Sequence, residues 1–354
     1  MRAFEFLTEL NVNIPQDLGQ DRTTKLTRIV NKLESDPALI DEIFKHLSLT
    51  VKDDKKGDFK SRILTMIGGD SADQDLSFAP NFLRSLAAAI EQTEGTVEEK
   101  LQFANTLGKV EHIDTKKLTS VGVSSWADWL TGTEFSKRLF DNLFNAPAFK
   151  TNNKGPGEAA LAILSPNITL LTGAGDISIN GTKIEVKGGE SVSGGRLSPT
   201  SSTVGNVQGD KAFWSKLFPD DNQKADELSN VQKVNGNNFG SFVAQYQLNA
   251  DQIASILSAT FRHESVSGDI TNISKKLANI TALDLATIAL KNYAASQGDD
   301  NFLILQRDVK QSIYFTVKDI ESIYTRLSVT IPIIDTDARS AGKAQLGILK
   351  KERK

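Results

Sequence analysis

Asp176 and the run Glu185-Val186-Lys187 are the residues whose types and spacing point most directly to chemistry. They flank Asn180-Gly181, and Asn-Gly between alternating segments is the strongest short-range signal for a hairpin with a two-residue turn. Pairing across such a turn follows by arithmetic. Ile179 faces Thr182, Ser178 faces Lys183, Ile177 faces Ile184, and Asp176 faces Glu185. Opposed residues share a face and successive residues alternate faces. Ile177, Ile179, Ile184 and Val186 therefore make an apolar face, and Asp176, Ser178, Lys183, Glu185 and Lys187 a polar one.

Two carboxylates directly opposed across a hairpin destabilise the pair unless something compensates them. A divalent cation held between them reverses the sign. Mg²⁺ takes one or two carboxylates together with water and phosphate oxygens, and Mn²⁺ can stand in for it. Lys187 falls two residues beyond Glu185, on the same face, where a cation can position an attacking water or offset charge developing on a phosphate. Glu158 opens the preceding apolar helix and can add a further carboxylate.

The arrangement of Glu158 in a first helix, Asp176 on a second strand and Glu185-Val186-Lys187 on a third resembles the PD-(D/E)xK superfamily of nucleases, which have the restriction-endonuclease-like fold. The likeness covers about 30 residues well and the remainder in outline, and Gly175 stands where that motif has proline. The resemblance implies an α/β (α+β) fold with a mixed β-sheet core flanked by helices. It also implies Mg²⁺-dependent hydrolysis of DNA phosphodiesters, with Asp176, Glu185 and Glu158 on the metal and Lys187 at the reacting water. Gly155-Pro156-Gly157-Glu158 followed by Lys187-Gly188-Gly189 is also similar to proteins of large tailed bacteriophages.

E-x-K by itself carries little information. It occurs three times, at Glu98–Lys100, Glu185–Lys187 and Glu352–Lys354, and only the middle copy combines with an Asp across a tight turn and a Glu-bearing helix. A solvated polar hairpin face is the plain alternative. Around it, Gly188, Gly189, Gly194 and Gly195 permit a close backbone approach to phosphate, and Arg196 can contact it. Arg339, Lys343 and Gln345 follow a strand and can track a DNA backbone; a flexible loop and a solvated basic tail are equally good readings of these segments. His263-Glu264 lies at a helix end and reads as surface.

These residues must be positioned by a larger frame. The region 1–150 reads as a helical domain, with apolar residues at three- and four-residue spacing in 26–33, 39–47, 59–67, 80–90, 97–107 and 126–144. It would bind DNA or a protein partner. The texture changes at about 148–155, and 151–354 reads as the nuclease-like domain. Strands are expected at 168–171, 176–179, 182–187, 302–306, 312–317 and 328–334, with a helical insertion at about 211–297 and a short helix at 319–327. Residues 188–210 hold six Gly, five Ser and two Thr, which predicts a loop or flap.

Composition sets the outer bounds. The chain has 354 residues, 24% charged and 39% hydrophobic, which suits a globular protein. A net charge of −3 argues against a role in coating nucleic acid. Cysteine is absent, which excludes thiol catalysis, disulfides and cysteine-ligated metals. The three histidines, His46, His112 and His263, are widely separated, so a histidine cluster on a metal is not expected. No apolar run approaches the ~20 residues of a membrane span. The expected setting is the cytoplasm (that of a host, or a virion, for a phage protein), with DNA or other phage proteins as partners. Two other classes of function compete with the nuclease: a virion structural or assembly protein with an inactive nuclease-like domain, and a nucleic-acid-binding protein that does not cut.

Overall fold

A computed structural model of the chain describes residues 89–90, 92–96, 99, 102–103, 110–145, 155–171, 175–189, 195–337 and 339–349. The helices expected over 26–47 and 59–67, most of those at 80–107, the texture change at 148–154, Gly194 and the last five residues lie outside these. In chain order the elements are α1 (Thr115–Leu118), β1 (Gly122–Ser125), α2 (Trp126–Trp129), α3 (Glu134–Phe144), α4 (Pro156–Leu164), β2 (Ile168–Leu170), β3 (Ile177–Ile179), β4 (Thr182–Gly189) and β5 (Gly195–Arg196). Then follow α5 (Lys211–Leu217), α6 (Asn222–Ser229), β6 (Lys233–Asn235), α7 (Phe239–Gln245), α8 (Ala250–Thr260), α9 (Ser267–Ser274) and α10 (Ala282–Gln297). The chain finishes with β7 (Asn301–Gln306), β8 (Gln311–Thr316), α11 (Ile320–Ile323), β9 (Leu327–Thr330), β10 (Pro332–Asp335) and β11 (Gln345–Ile348). The protein is thus mixed α/β. It divides into two compact units, one of residues 1–119 and 124–186, the other of 120–123 and 187–354, with the second division falling inside β4.

In the first unit, α3 starts where Thr133 accepts the Ser136 amide, and its apolar side repeats as Phe135, Leu139, Phe140, Leu143 and Phe144. That stripe packs on α4. Pro156 sits at the first turn of α4, where its missing N–H is harmless, and Gly157 to Leu164 are all buried. Trp126 and Trp129 of α2 meet Phe140 edge-to-face at 5.0 and 5.3 Å, a geometry in which ring edges point at ring faces. Behind α4 the chain forms the antiparallel run β2, β3, β4. Its register is Ile168↔Ile179, Thr169↔Ser178 and Leu170↔Ile177, then Ile177↔Ile184, Ser178↔Lys183 and Ile179↔Thr182.

The second unit has its own core, built on Trp214, Phe239, Ile253, Ile256, Leu257, Leu285, Ile288 and Leu290 from the helices and Phe302, Ile304, Ile313 and Phe315 from the strands. The 16-residue α10 is capped at both ends. Thr281 and Asp284 exchange hydrogen bonds at its start, and Gly298 adopts φ 72° just past its end. β7 and β8 pair antiparallel over their full length, and Val121, just before β1, bridges in parallel to Tyr314 of β8, which makes the sheet mixed. The strand expected over 328–334 divides at Ile331. β9 joins β11 and β5, while β10 pairs with β6.

Two sequence expectations change here. The Gly/Ser-rich stretch is not an open loop throughout: Leu197, Val204 and Val207 are buried, and β5 pairs with β11. The segment after Arg339 is not simply a solvated tail, because β11 runs between β5 and β9 and buries Leu346 and Ile348. In both stretches a few apolar side chains find partners far away in sequence, which local composition does not reveal.

Candidate functional site

The Asn180-Gly181 turn forms as expected. Both residues take positive φ, 51° and 85°, the pairing required of a type I′ turn that matches strand twist. Of the four ladder pairs derived from it, the three nearest the turn are present, and Asp176 opposite Glu185 is not among the observed pairs. Ile177, Ile179, Ile184 and Val186 are buried, Lys183 is exposed and Ser178 half-buried.

The ladder changes at Asp176. Its amide donates to the Ile184 carbonyl at 3.0 Å, although Ile184 already pairs with Ile177. Two residues therefore oppose one, as in a β-bulge, and such an extra residue re-aims a side chain and ends regular pairing. Gly175, at φ 76°, permits the bend. Asp176 Oδ2 accepts the Val186 amide at 2.9 Å, while its carbonyl accepts the Leu171 amide at 3.0 Å. Asp176 thus reaches across to the residue after Glu185, where simple pairing would have set it opposite Glu185.

Both acids are nonetheless buried: Asp176 is 9% exposed and Glu185 7%. Glu158, 8% exposed, lies in the first turn of α4, and its carboxylate is folded back beside Gly155. An N-terminal helical turn favours negative charge through its exposed amides. A Cβ on Gly155 would stand 2.8 Å from Glu158 Oε2, so glycine leaves that carboxylate its room. Lys187 is half-buried, two positions beyond Glu185 on β4. Its stem lies against Gly195, where an added Cβ would stand 2.7 Å from Lys187 Cβ.

As a donor set these carboxylates are hard oxygen ligands, which suit Mg²⁺ or Mn²⁺ over softer metals. No group of three or more His, Cys, Asp and Glu residues is drawn together for a metal among the described residues. One or two carboxylates is the number with which Mg²⁺ is ordinarily held, the rest being water and phosphate.

The residues expected to meet a nucleic-acid backbone are partly united. Gln345 of β11 pairs directly with Arg196 of β5, whose side chain is exposed, and Lys343 lies two residues before Gln345. Arg339 is engaged with Asp337. Its Nε is 3.4 Å from Asp337 Oδ1, and its own amide donates to the same oxygen. His263 is half-buried and caps a short 3-10 turn by accepting the Ser265 amide.

One polar residue went unheralded in the sequence. His112 is 6% exposed and lines a cavity of about 570 Å³. Its neighbours there come from separate segments with no motif spacing, so no sequence signal marks them.

The chain matches no protein-family model, no curated protein and no solved structure. Among the described residues no helix is long and apolar enough to cross a membrane.

Proposed function

We propose that the chain is a Mg²⁺-dependent nuclease that hydrolyses DNA phosphodiester bonds, with Asp176 and Glu185 as the metal-holding carboxylates. The observation that carries this reading is the burial of both acids at one end of the β3–β4 hairpin. Buried carboxylates keep their place through hydrogen bonds, ion pairs or a bound cation. The Val186 amide fixes the orientation of Asp176, and a divalent ion would serve both acids together.

Bound there, Mg²⁺ would acidify a water and offset charge on the phosphate. The water oxygen forms the new bond to phosphorus, one ester P–O bond breaks, and the departing oxygen takes a proton. Lys187 would place its ammonium near the developing charge, since strand alternation sets it on the side of Glu185. Glu158 would assist by orienting water. Arg196, Lys343 and Gln345 would contact the DNA backbone, and contacts of this kind set register without reading sequence. A restriction-endonuclease-like fold and the phage setting belong to the same proposal.

The test is nicking of supercoiled plasmid by the full chain with Mg²⁺ or Mn²⁺. Cleavage abolished by a chelator is expected. Lys187→Ala should slow it by about 10²–10³ while DNA affinity stays within about twofold, because an interaction made in the transition state adds little to ground-state binding. No cleavage of any DNA with either metal would overturn the nuclease and leave the non-cutting DNA-binding or virion roles.

A further inference from the structure

We infer that Asn180 is a site of spontaneous covalent modification, converting with age to isoaspartate and aspartate, while the chain's other Asn-Gly pair is kept intact by its fold. The reaction needs only water and a base. The deprotonated glycine nitrogen attacks asparagine Cγ, the N–Cγ bond forms, the Cγ–Nδ2 bond breaks, and ammonia leaves with the proton. Water then opens the cyclic imide. Cleavage of the N–Cγ bond gives aspartate. Cleavage of the bond between that nitrogen and the main-chain carbonyl carbon leaves the glycine joined through the side chain, as isoaspartate. Glycine offers the least hindered nitrogen because it has no Cβ.

Asn-Gly occurs twice, at Asn180-Gly181 and Asn235-Gly236. The local chemistry is the same and the surroundings are opposite. Asn180 and Gly181 are both exposed, at the tip of the β3–β4 hairpin. Among the described residues the Gly181 amide donates to nothing and the Asn180 carboxamide makes no hydrogen bond. A Cβ built on Gly181 would meet nothing within 4 Å, so the imide and the incoming water have room. Exposed turn tips of this kind are where backbone freedom concentrates.

Asn235 ends β6, and Gly236 is buried. The Gly236 amide, the nucleophile in this pair, donates to the Ile331 carbonyl at 2.9 Å. Asn235 Oδ1 accepts the Asn237 amide at 2.9 Å, and the Asn235 amide donates to Asn238 Oδ1 at 2.7 Å. Ring closure there requires Gly236 to leave Ile331, so it proceeds only through a local opening of the fold. At Asn180 the two-residue turn closes the Ile179↔Thr182 pair, and its fit to the strand twist depends on its length. Isoaspartate routes the main chain through Cβ and adds an atom to that turn. The modification therefore weakens the hairpin that carries Asp176 and Glu185.

The test ages the full chain at mildly alkaline pH beside a sample held in denaturant, until both pairs have reacted in the latter. Peptides from an acidic digest are weighed for amide-to-acid conversion, and isoaspartate is scored by isoaspartate-specific enzymatic methylation. Each folded-state rate is divided by the rate of the same pair in denaturant. The quotient for Asn180 should exceed that for Asn235 by at least about tenfold, because a reactive form reached only by opening counts in proportion to its population. Asn180→Gln should remove the converted peptide at this position. An Asn180 that stays intact in the folded chain, or equal quotients for the two pairs, would overturn the inference. Asn180→Asp carries the same charge on an ordinary backbone, so the isoaspartate fraction should unfold at a lower temperature than this variant. Equal unfolding temperatures would overturn the weakening of the hairpin. Absence of plasmid nicking would have no bearing on any of these outcomes.

Discussion

Asp176 performs two jobs that can be separated by substitution. Its Oδ2 holds the Val186 amide, and its charge belongs to the proposed metal site. Asparagine keeps an acceptor oxygen in the same place, so Asp176→Asn should retain that hydrogen bond while losing metal. Alanine leaves a buried amide without its acceptor, which costs about 1–3 kcal/mol. Denaturant unfolding followed through the tryptophans of α2 should therefore show Asp176→Ala less stable than Asp176→Asn by about that amount. Equal stability of the two would remove the structural half of this assignment. The sequence already singled out Asp176, Glu185 and Lys187. What it could not contain is the bulge, because a slip of one residue depends on Gly175 bending and on the Asp176 amide taking the Ile184 carbonyl, and neither follows from alternation of residue types. His112 was illegible for a different reason. Its burial arises from Phe103, Leu164 and Gly132, which local spacing does not connect.

The hairpin was the most legible element, since Asn180-Gly181 encodes both turn type and register. Gly181 sits at φ 85° with open space around its α-carbon, so only conformation opposes a side chain there. Gly181→Val should cost about 1–2 kcal/mol, the left-handed penalty being greatest for a branched residue. Asn180→Gly should be close to neutral by the same measurement. If Gly181→Val proved neutral, the positive φ would be in error, and with it the register that brings Asp176 and Glu185 to one end. Other elements were legible only in part. α3, α8 and α10 announce themselves by periodic apolar residues, and the structure adds caps at Thr133, Asn249 and Thr281. β5, β6 and β11 are two to four residues long. Their strand character comes from partners about 150 residues away for β5, about 100 for β6, and 15 or more for β11 with β9. The break at Ile331 likewise reflects two different partners for one continuous apolar run.

Taken as a whole, the molecule is an α/β protein of two compact units with a net charge of −3. DNA binding by such a chain must come from a local concentration of basic groups, since no overall positive field exists. In the proposed reading Arg196 of β5 and Lys343, two residues before its pairing partner Gln345, would supply it. Each phosphate neutralised releases counterions, so log affinity should fall linearly with log salt, and Arg196→Ala with Lys343→Ala should reduce the slope by about two. Arg339→Ala should change it less, because Asp337 already accompanies Arg339. An unaltered slope in the double variant would return Arg196 and Lys343 to the solvent. The central proposal is that Asp176 and Glu185 together hold a divalent cation. Calorimetric titration of Mn²⁺ into the full chain tests it most directly, with Asp176→Asn and Glu185→Gln titrated in parallel. One site is expected in the unaltered chain, and each variant should lose that site while its thermal unfolding still shows a folded protein. Mn²⁺ binding that is absent from the unaltered chain, or that survives both substitutions, would contradict the account.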